Sequence, residues 1–204
     1  MALLKTPICD FGLNAIDFKL KSINGELLTL NDVKGDNGTL IMFICNHCPY
    51  VKAIIRELAD DCAKLKEDGI NSVAIMSNDT KNYPEDSFEN MKKFSDKYSF
   101  SFPYLIDETQ EIAKKYDAVC TPDFFGYNKD LKLNYRGRIR ELNDLKPVGS
   151  GDSELLKSMK LIAKTQQGPK EQYPSMGCSI NCLLYTSDAA DEGLGVDLGG
   201  RRII

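Results

Sequence analysis

A buried strand that runs into an amphipathic helix sets the architecture of this chain. The apolar run from Leu40 to Ile44 predicts a strand that is buried on both faces. After a short polar loop, apolar residues recur at alternating steps of four and three, which predicts one face of a helix. This stripe consists of Val51, Ile55, Leu58, Cys62 and Leu65. Pro49 suits the first position of that helix, so Cys48 lies where strand gives way to helix.

Cys48 has the surroundings of a reactive thiol. At the start of a helix, unpaired backbone N–H groups and the helix dipole stabilise a thiolate, which is the nucleophilic form of cysteine. The neighbouring residues Asn46 and His47 are polar. A redox nucleophile is therefore the favoured interpretation of Cys48, and a buried, inert thiol is the alternative.

The remaining elements predict an α/β fold with a central mixed sheet flanked by helices. Asn24-Gly25 indicates a hairpin turn between a strand at residues 18–21 and its return at 26–30. Residues 70–77 form a second buried strand, which the strand–helix–strand order makes parallel to the first. We expect helices at 87–98, 109–116 and 153–163, a strand at 131–136, and irregular structure at 168–179, whereas residues 1–16 show no clear periodicity.

The loop sequence Cys45-Asn46-His47-Cys48-Pro49 resembles active sites of the thioredoxin-like superfamily. When the sequence is aligned without gaps to the strand and helix of thioredoxin, Cys48 takes the place of the nucleophilic first cysteine. Val51 then stands where the second cysteine would be. The placement is similar to that in peroxiredoxins, where a Thr or Ser precedes the reactive cysteine by three residues, the place of Cys45 here. The stretch most resembles a branch of the alkyl hydroperoxide reductase/thiol-specific antioxidant group, over roughly Asp17 to Ile180.

This resemblance implies a thioredoxin-like fold with an N-terminal hairpin extension, and a redox site with several further residues. Pro122, after Thr121, matches a cis proline that faces the nucleophile in the superfamily, and we expect the Thr121 backbone to be free to pair with an incoming peptide. We expect the chain to bend after Cys45, which would make Cys45 the resolving thiol in a Cys45–Cys48 disulfide.

Other residues have weaker claims to a role. His47 could tune the thiolate as a neighbouring cation, or point away into solvent. Cys120 precedes the Pro122 loop, and its structural and functional interpretations are balanced. For Cys178 we expect a solvent-exposed bystander. Arg136 and Arg138 could polarise a peroxide, although a solvated surface is the commoner role.

No cofactor or metal is expected. A zinc half-site at Cys45 and Cys48 would need two further ligands, but the sequence has no second C-x-x-C motif, and His47 is the only histidine.

Composition narrows the class of protein and its partners. The net charge of −4 on 204 residues argues against nucleic-acid binding. No apolar run approaches the ~20 residues of a membrane span, and the first residues lack the apolar core of a signal peptide. We therefore expect a cytoplasmic protein without a membrane partner, whose seven cysteines are mostly thiols.

The last residues are a different kind of sequence. The stretch from Cys182 to Ile204 resembles translated sequencing-library adapter and has no apolar stripe. We expect one thioredoxin-like (redoxin) domain at residues 1–180 and a disordered, non-native tail at 181–204, whose deletion should not change the thermal midpoint.

Two functions follow as hypotheses. The first is a thiol oxidoreductase acting in redox homeostasis through Cys48, on either a peroxide or a disulfide, with a dithiol as reductant. The second is a thioredoxin-fold binding module with inert cysteines.

Overall fold

A computed structural model describes residues 3–7 and 11–180. The predictions for the tail at 181–204, which contains Cys182, lie outside the described residues. No helix among the described residues is long and apolar enough to cross a membrane.

The helices and strands follow the predicted order closely. The helices are α1 (Leu30–Val33), α2 (Pro49–Glu67), α3 (Phe88–Lys97), α4 (Glu111–Lys115) and α5 (Glu154–Thr165). The strands are β1 (Leu3–Lys5), β2 (Lys19–Ser22), β3 (Leu27–Thr29), β4 (Gly38–Phe43), β5 (Ile70–Met76), β6 (Tyr104–Ile106), β7 (Cys120–Thr121), β8 (Asp123–Asn128), β9 (Leu133–Arg136), β10 (Leu142–Asn143), β11 (Lys146–Pro147) and β12 (Met176–Ser179).

A mixed seven-stranded sheet forms the centre of the molecule, in the order β3-β2-β6-β5-β4-β8-β9. Strand β4 pairs parallel with β5 and antiparallel with β8, so it lies in the interior of the sheet. Its residues are buried throughout, as the apolar run predicts. Both faces of the sheet are therefore covered, and the mixed sheet flanked by helices is confirmed.

Side chains of β4 alternate between two hydrophobic clusters. Leu40 and Met42 join the cluster that contains the buried faces of α2 and α5. Ile41 and Phe43 join the opposite cluster, with residues of α1 and α4. This packing fixes β4 from both sides, and with it the loop that carries Cys48.

The hairpin is confirmed, but strands also form in residues 1–16, which showed no clear periodicity, and in residues 168–179, where irregular structure was expected. Strands β2 and β3 pair around a turn in which Gly25 has a φ of +89°. A second sheet has the order β1-β12-β7 and uses residues from both unassigned stretches. Its strands are too short to show a period of two, and β12 reads Met-Gly-Cys-Ser, which is not rich in β-branched or aromatic residues.

Candidate active site

Cys48 lies at the N-terminus of α2, as predicted. It is the residue that precedes the first helical position, which Pro49 occupies. The backbone N–H of Val51, in the first turn, donates a hydrogen bond to the Cys48 sulfur. This N–H has no partner within the helix, so the interaction favours the thiolate. The chain bends at Asn46 and His47, after Ile44 has made a last hydrogen bond to Ile75 of β5.

Three thiols converge at this point. The Cys48 and Cys178 sulfurs are 3.2 Å apart, and the Cys45 thiol also hydrogen-bonds the Cys48 sulfur. Donation from Cys45, above all, and also from the Val51 N–H and the Cys178 thiol, lowers the pKa of Cys48 to about 5, against the opposing effect of burial. At neutral pH Cys48 is therefore a thiolate held between two protonated thiols.

The Thr121–Pro122 peptide bond is cis, which confirms that prediction. Thr121 contacts both cysteines of the loop. Its hydroxyl lies 3.3 Å from the Cys45 sulfur, and its carbonyl oxygen lies 3.1 Å from the Cys48 sulfur. A Cys48 thiol can donate to that carbonyl, so this contact favours the protonated form. The predicted site residues Cys45, Cys48, Thr121 and Pro122 are thus brought together.

The prediction that the Thr121 backbone is free for an incoming peptide is wrong. Thr121 pairs with Cys178, because β12 lies antiparallel beside β7. Gly177 permits this close approach, since a Cβ atom on it would lie 1.9 Å from the Thr121 carbonyl oxygen. The chain's own strand β12 therefore occupies the place expected for a substrate strand.

The prediction that Cys178 is a solvent-exposed bystander is also wrong. Cys178 is only 7% exposed and belongs to the same hydrophobic cluster as Cys45 and Cys48. Its isolated position in the sequence gave no indication of a partner. Gly177 is the one local signal of such a contact, because a glycine inside a strand often marks a place where another backbone approaches closely.

Cys45 and Cys178 both have raised pKa values. Burial is the first cause for each of them, and the hydrogen bond that each shares with Cys48 adds to it. For Cys178 the pKa rises to about 12. Both are protonated donors at neutral pH, so the pair of thiols serves to stabilise charge on Cys48.

Cys120 lies outside this cluster of sulfurs. Its thiol donates to the Pro122 carbonyl oxygen over 3.7 Å, and burial raises its pKa well above its usual range. Cys120 is paired in register with Ser179 rather than Cys178. The structure therefore favours a packing role for Cys120.

His47 is held by a residue that the sequence did not reveal. Its Nδ1 lies 2.6 Å from an oxygen of Asp86, and its ring stacks on Tyr83 at 4.9 Å between centroids. The hydrogen bond to Asp86 raises the pKa of His47. The side chain does not point away into solvent, and when protonated it places a positive charge near the Cys48 thiolate.

Asp86 is fully buried and anchors the whole loop. Besides the His47 ring, it accepts hydrogen bonds from the backbone N–H of Asn46, at 2.8 Å, and of His47, at 3.2 Å. The Asn78 side chain donates a further one at 2.9 Å. Nothing in the local sequence marks Asp86, because its two partners in the cysteine loop, Asn46 and His47, lie about forty positions away in the chain.

The two arginines have structural partners. Arg136 is buried and donates to both oxygens of Asp123, at 3.0 and 3.4 Å. Arg138 donates to both oxygens of Glu154. These pairings support structural roles for the arginines rather than polarisation of a peroxide.

Cys45, His47 and Asp86 place possible metal-ligand atoms within 4.8 Å of one another. Both oxygens of Asp86 already accept hydrogen bonds from the loop. Cys45 also has a raised pKa, whereas metal binding needs the thiolate. The hydrogen-bonded network therefore fits these residues better than a zinc site does.

Comparisons with known proteins give the same fold. The structure superposes with a TM-score of 0.85 on an uncharacterised conserved protein from Geobacillus kaustophilus, at 41% identity over 89% of this chain and 97% of that one. The thioredoxin domain of a thiol-disulfide oxidoreductase from Bacteroides vulgatus superposes with a TM-score of 0.54, at 16% identity over 68% of this chain and 93% of that one. The latter likeness supports the thioredoxin-like fold alone.

A sequence relative with a named activity is the thiol-disulfide oxidoreductase ResA of Halalkalibacterium halodurans, at 27% identity over 52% of this chain. The chain spans about half the length of that relative, 55%. The AhpC/TSA family profile matches residues 11–141, and the chain therefore belongs to the AhpC/TSA family.

Proposed function

We propose that this protein is a thiol–disulfide oxidoreductase whose nucleophile is the Cys48 thiolate. The observation that supports this most is the position of the Cys48 sulfur at the start of α2, in hydrogen-bond contact with the thiols of Cys45 and Cys178. A low-pKa thiolate with a second thiol at contact distance is the arrangement that disulfide exchange needs.

The reaction begins when the Cys48 thiolate attacks one sulfur of a substrate disulfide. A bond forms between the Cys48 sulfur and that sulfur, and the other substrate sulfur leaves as a thiolate and takes a proton from solvent. A second thiol of the protein then attacks the Cys48 sulfur and releases the remaining substrate half as a thiol. An external dithiol reduces the resulting internal disulfide and restores both protein thiols.

A cavity beside Pro122 offers room for a substrate. Its volume is about 340 Å³, and its walls include Tyr50 and Ile54 of α2, together with Pro122, Tyr173 and Met176. The cavity size is within the range of small-ligand sites. The cavity adjoins α2 and the cis proline, whereas Cys48 is buried behind its wall, so a disulfide bound there reaches the thiolate only after a local movement of the protein.

Reduction of a peroxide is the second candidate, and the burial of Cys48 favours it. The Cys48 side chain is 0% exposed in the reduced form, so a small peroxide needs less movement of the protein than a protein disulfide does. In this reaction the thiolate takes one peroxide oxygen to become a sulfenic acid, and the other oxygen leaves as water or an alcohol after protonation. The engagement of Arg136 by Asp123 and of Arg138 by Glu154 counts against this candidate.

Parallel assays with one dithiol donor separate the two candidates. Dithiothreitol would be supplied with either a small linear disulfide or hydrogen peroxide, and consumption of each would be followed. We expect Cys48-dependent turnover of the disulfide to exceed that of the peroxide, and Cys48→Ser to abolish it. Turnover of peroxide alone would favour the second candidate, and turnover of neither would favour the inert binding module. The cytoplasmic location and the natural dithiol partner stay predictions.

A further inference from the structure

We propose that Cys178, rather than Cys45, is the thiol that resolves oxidised Cys48, so that the oxidised protein carries a Cys48–Cys178 disulfide. This inference rests on the proposed function, because it assigns the second thiol of that cycle. It also reverses the pairing with Cys45 that the sequence favours.

The distance between the two sulfurs supports this assignment. They are 3.2 Å apart in the reduced protein, and a disulfide bond of ~2.05 Å requires them to approach by about 1.2 Å. Cys178 reaches this position because β12 pairs with β7, which places Cys178 opposite Thr121.

Strand β12 is better able to make this movement than the loop of Cys45. It spans Met176–Ser179 and pairs over three positions with β1 and over two with β7. A shift of such a short strand disturbs few hydrogen bonds. Cys45 follows the central strand β4, and the next residue, Asn46, is held through its backbone by Asp86 and through its side chain by Tyr104.

The charge on Cys48 provides a reason for the order of events. While Cys48 is a thiolate, the Cys178 thiol donates to it, and the pKa of Cys178 is raised by burial and by that interaction. When Cys48 becomes part of a mixed disulfide, its negative charge is gone and the Cys178 proton loses its acceptor. Cys178 then becomes easier to deprotonate at the step where its thiolate is required.

The resolving step is a thiol–disulfide exchange at the Cys48 sulfur. Cys178 loses its proton and attacks the Cys48 sulfur of the mixed disulfide. A Cys48–Cys178 bond forms, the bond between Cys48 and the substrate sulfur breaks, and the substrate thiolate takes up the proton. With a Cys48 sulfenic acid instead, the same attack releases water. In both cases the substrate gains two electrons in total, and the two cysteines supply them.

Peptide mapping of the oxidised protein tests the proposal. A Cys182→Ser background is needed, because trypsin leaves Cys178 and Cys182 in the same peptide, 171–201, whereas Cys45 and Cys48 share peptide 35–52. The protein is oxidised with one equivalent of the small disulfide, blocked with N-ethylmaleimide and digested without reduction. We expect a cross-link between the two peptides, retained in Cys45→Ser and lost in Cys48→Ser.

Steady-state turnover gives an independent readout. Cys178→Ser should accumulate the Cys48 mixed disulfide and lose at least about tenfold in turnover, because an external thiol must replace a positioned one. Cys120→Ser is the matched control, since Cys120 is also a buried cysteine, on the neighbouring strand, and its turnover should stay within about twofold of the wild type.

The outcomes separate this inference from the proposed function. A loss of two hydrogens within peptide 35–52 would show a Cys45–Cys48 disulfide. Together with the absence of a cross-link and normal turnover of Cys178→Ser, it would overturn the role of Cys178 and leave the proposed oxidoreductase function standing. An unreactive Cys48 in the wild type would overturn the proposed function itself. If Cys178→Ser is poorly folded, the turnover of Cys178→Ala and the cross-link in the Cys182→Ser background still test the role of Cys178.

Discussion

The ring of His47, the residue immediately before Cys48, forms a hydrogen bond of 2.6 Å with the buried carboxylate of Asp86. This contact raises the pKa of His47. It keeps a cation close to the Cys48 thiolate over a wider pH range than a free imidazole would. The same carboxylate binds the backbone of the loop, so one aspartate both shapes the loop and sets the charge of the histidine.

Asp86→Asn should lower the pKa of His47. As this is the only histidine, its ring proton resonances can be followed by NMR without ambiguity. Because the folded-state pKa is raised, the stability from the charged pair is fully present below the unfolded value of about 6.5 and is lost as pH rises through the folded-state value.

The stability difference between the wild type and Asp86→Asn should accordingly narrow as the pH rises through that range. Glu85→Gln is the control, since Glu85 contributes least among the causes that raise the pKa of His47. An equal fall in the pKa of His47 in both variants would contradict the role of Asp86.

Cys45→Ala should raise the pKa of Cys48, because the Cys45 thiol is the largest of the interactions that lower it. The rate of Cys48 alkylation, measured against pH by mass spectrometry, should therefore shift to higher pH. Cys62→Ala is the control, since Cys62 is packed against Met42 in the core. An unchanged or lower midpoint in Cys45→Ala would show that Cys45 does not donate to the thiolate.

Gly177→Ala should destabilise the protein and displace β12, because the added methyl group would collide with the Thr121 carbonyl oxygen. We expect a loss of more than about 2 kcal/mol in unfolding by denaturant, typical of overpacking against backbone. The Cys178 thiol should also become faster to alkylate.

Gly25→Ala is the comparison for this variant. The added methyl group meets open space, but residue 25 has a backbone φ of +89°. An alanine in this left-handed conformation lowers the free energy of unfolding by about 1–2 kcal/mol. It should leave the alkylation of Cys178 unchanged. A Gly177→Ala protein with wild-type stability and a protected Cys178 would show that β12 does not pack as described.

Arg136→Ala should reduce stability without changing the chemistry at Cys48. Arg136 is paired with Asp123, and both side chains are buried. Removal of one partner of such a pair costs about 3–5 kcal/mol, since the other charge is left unpaired. If the variant stays folded but Cys48 loses its low pKa, measured by alkylation, Arg136 supports the thiolate after all.

The parts of the fold and site that follow local patterns could be predicted from the sequence. The apolar run of β4 and the helical stripe of α2 place Cys48 at a helix start, and this depends only on periodicity and on Pro49. The position of Pro122 opposite the cysteine followed from the resemblance to the thioredoxin-like superfamily. These features are set by residues close in sequence or by a recognisable motif.

The parts that depend on long-range pairing could not be predicted in this way. Asp86 reaches the cysteine loop from across the fold, and Cys178 is 130 positions from Cys48. Strand β12 has no periodic pattern, and its pairing with β7 depends on Gly177 rather than on strand propensity. The mistaken expectations for Cys178 and for the free Thr121 backbone both come from this one strand.

The most direct test of the account is the titration of the Cys48 thiolate. Its ultraviolet absorbance would be followed against pH in a Cys9→Ser/Cys182→Ser background, with Cys48→Ser as the control. The other described thiols, at Cys45, Cys62, Cys120 and Cys178, all have raised pKa values, so a single step near pH 5 should belong to Cys48. We predict that step in the wild type and its loss in Cys48→Ser; a first step near about 8.5, the value of an ordinary thiol, would contradict the account.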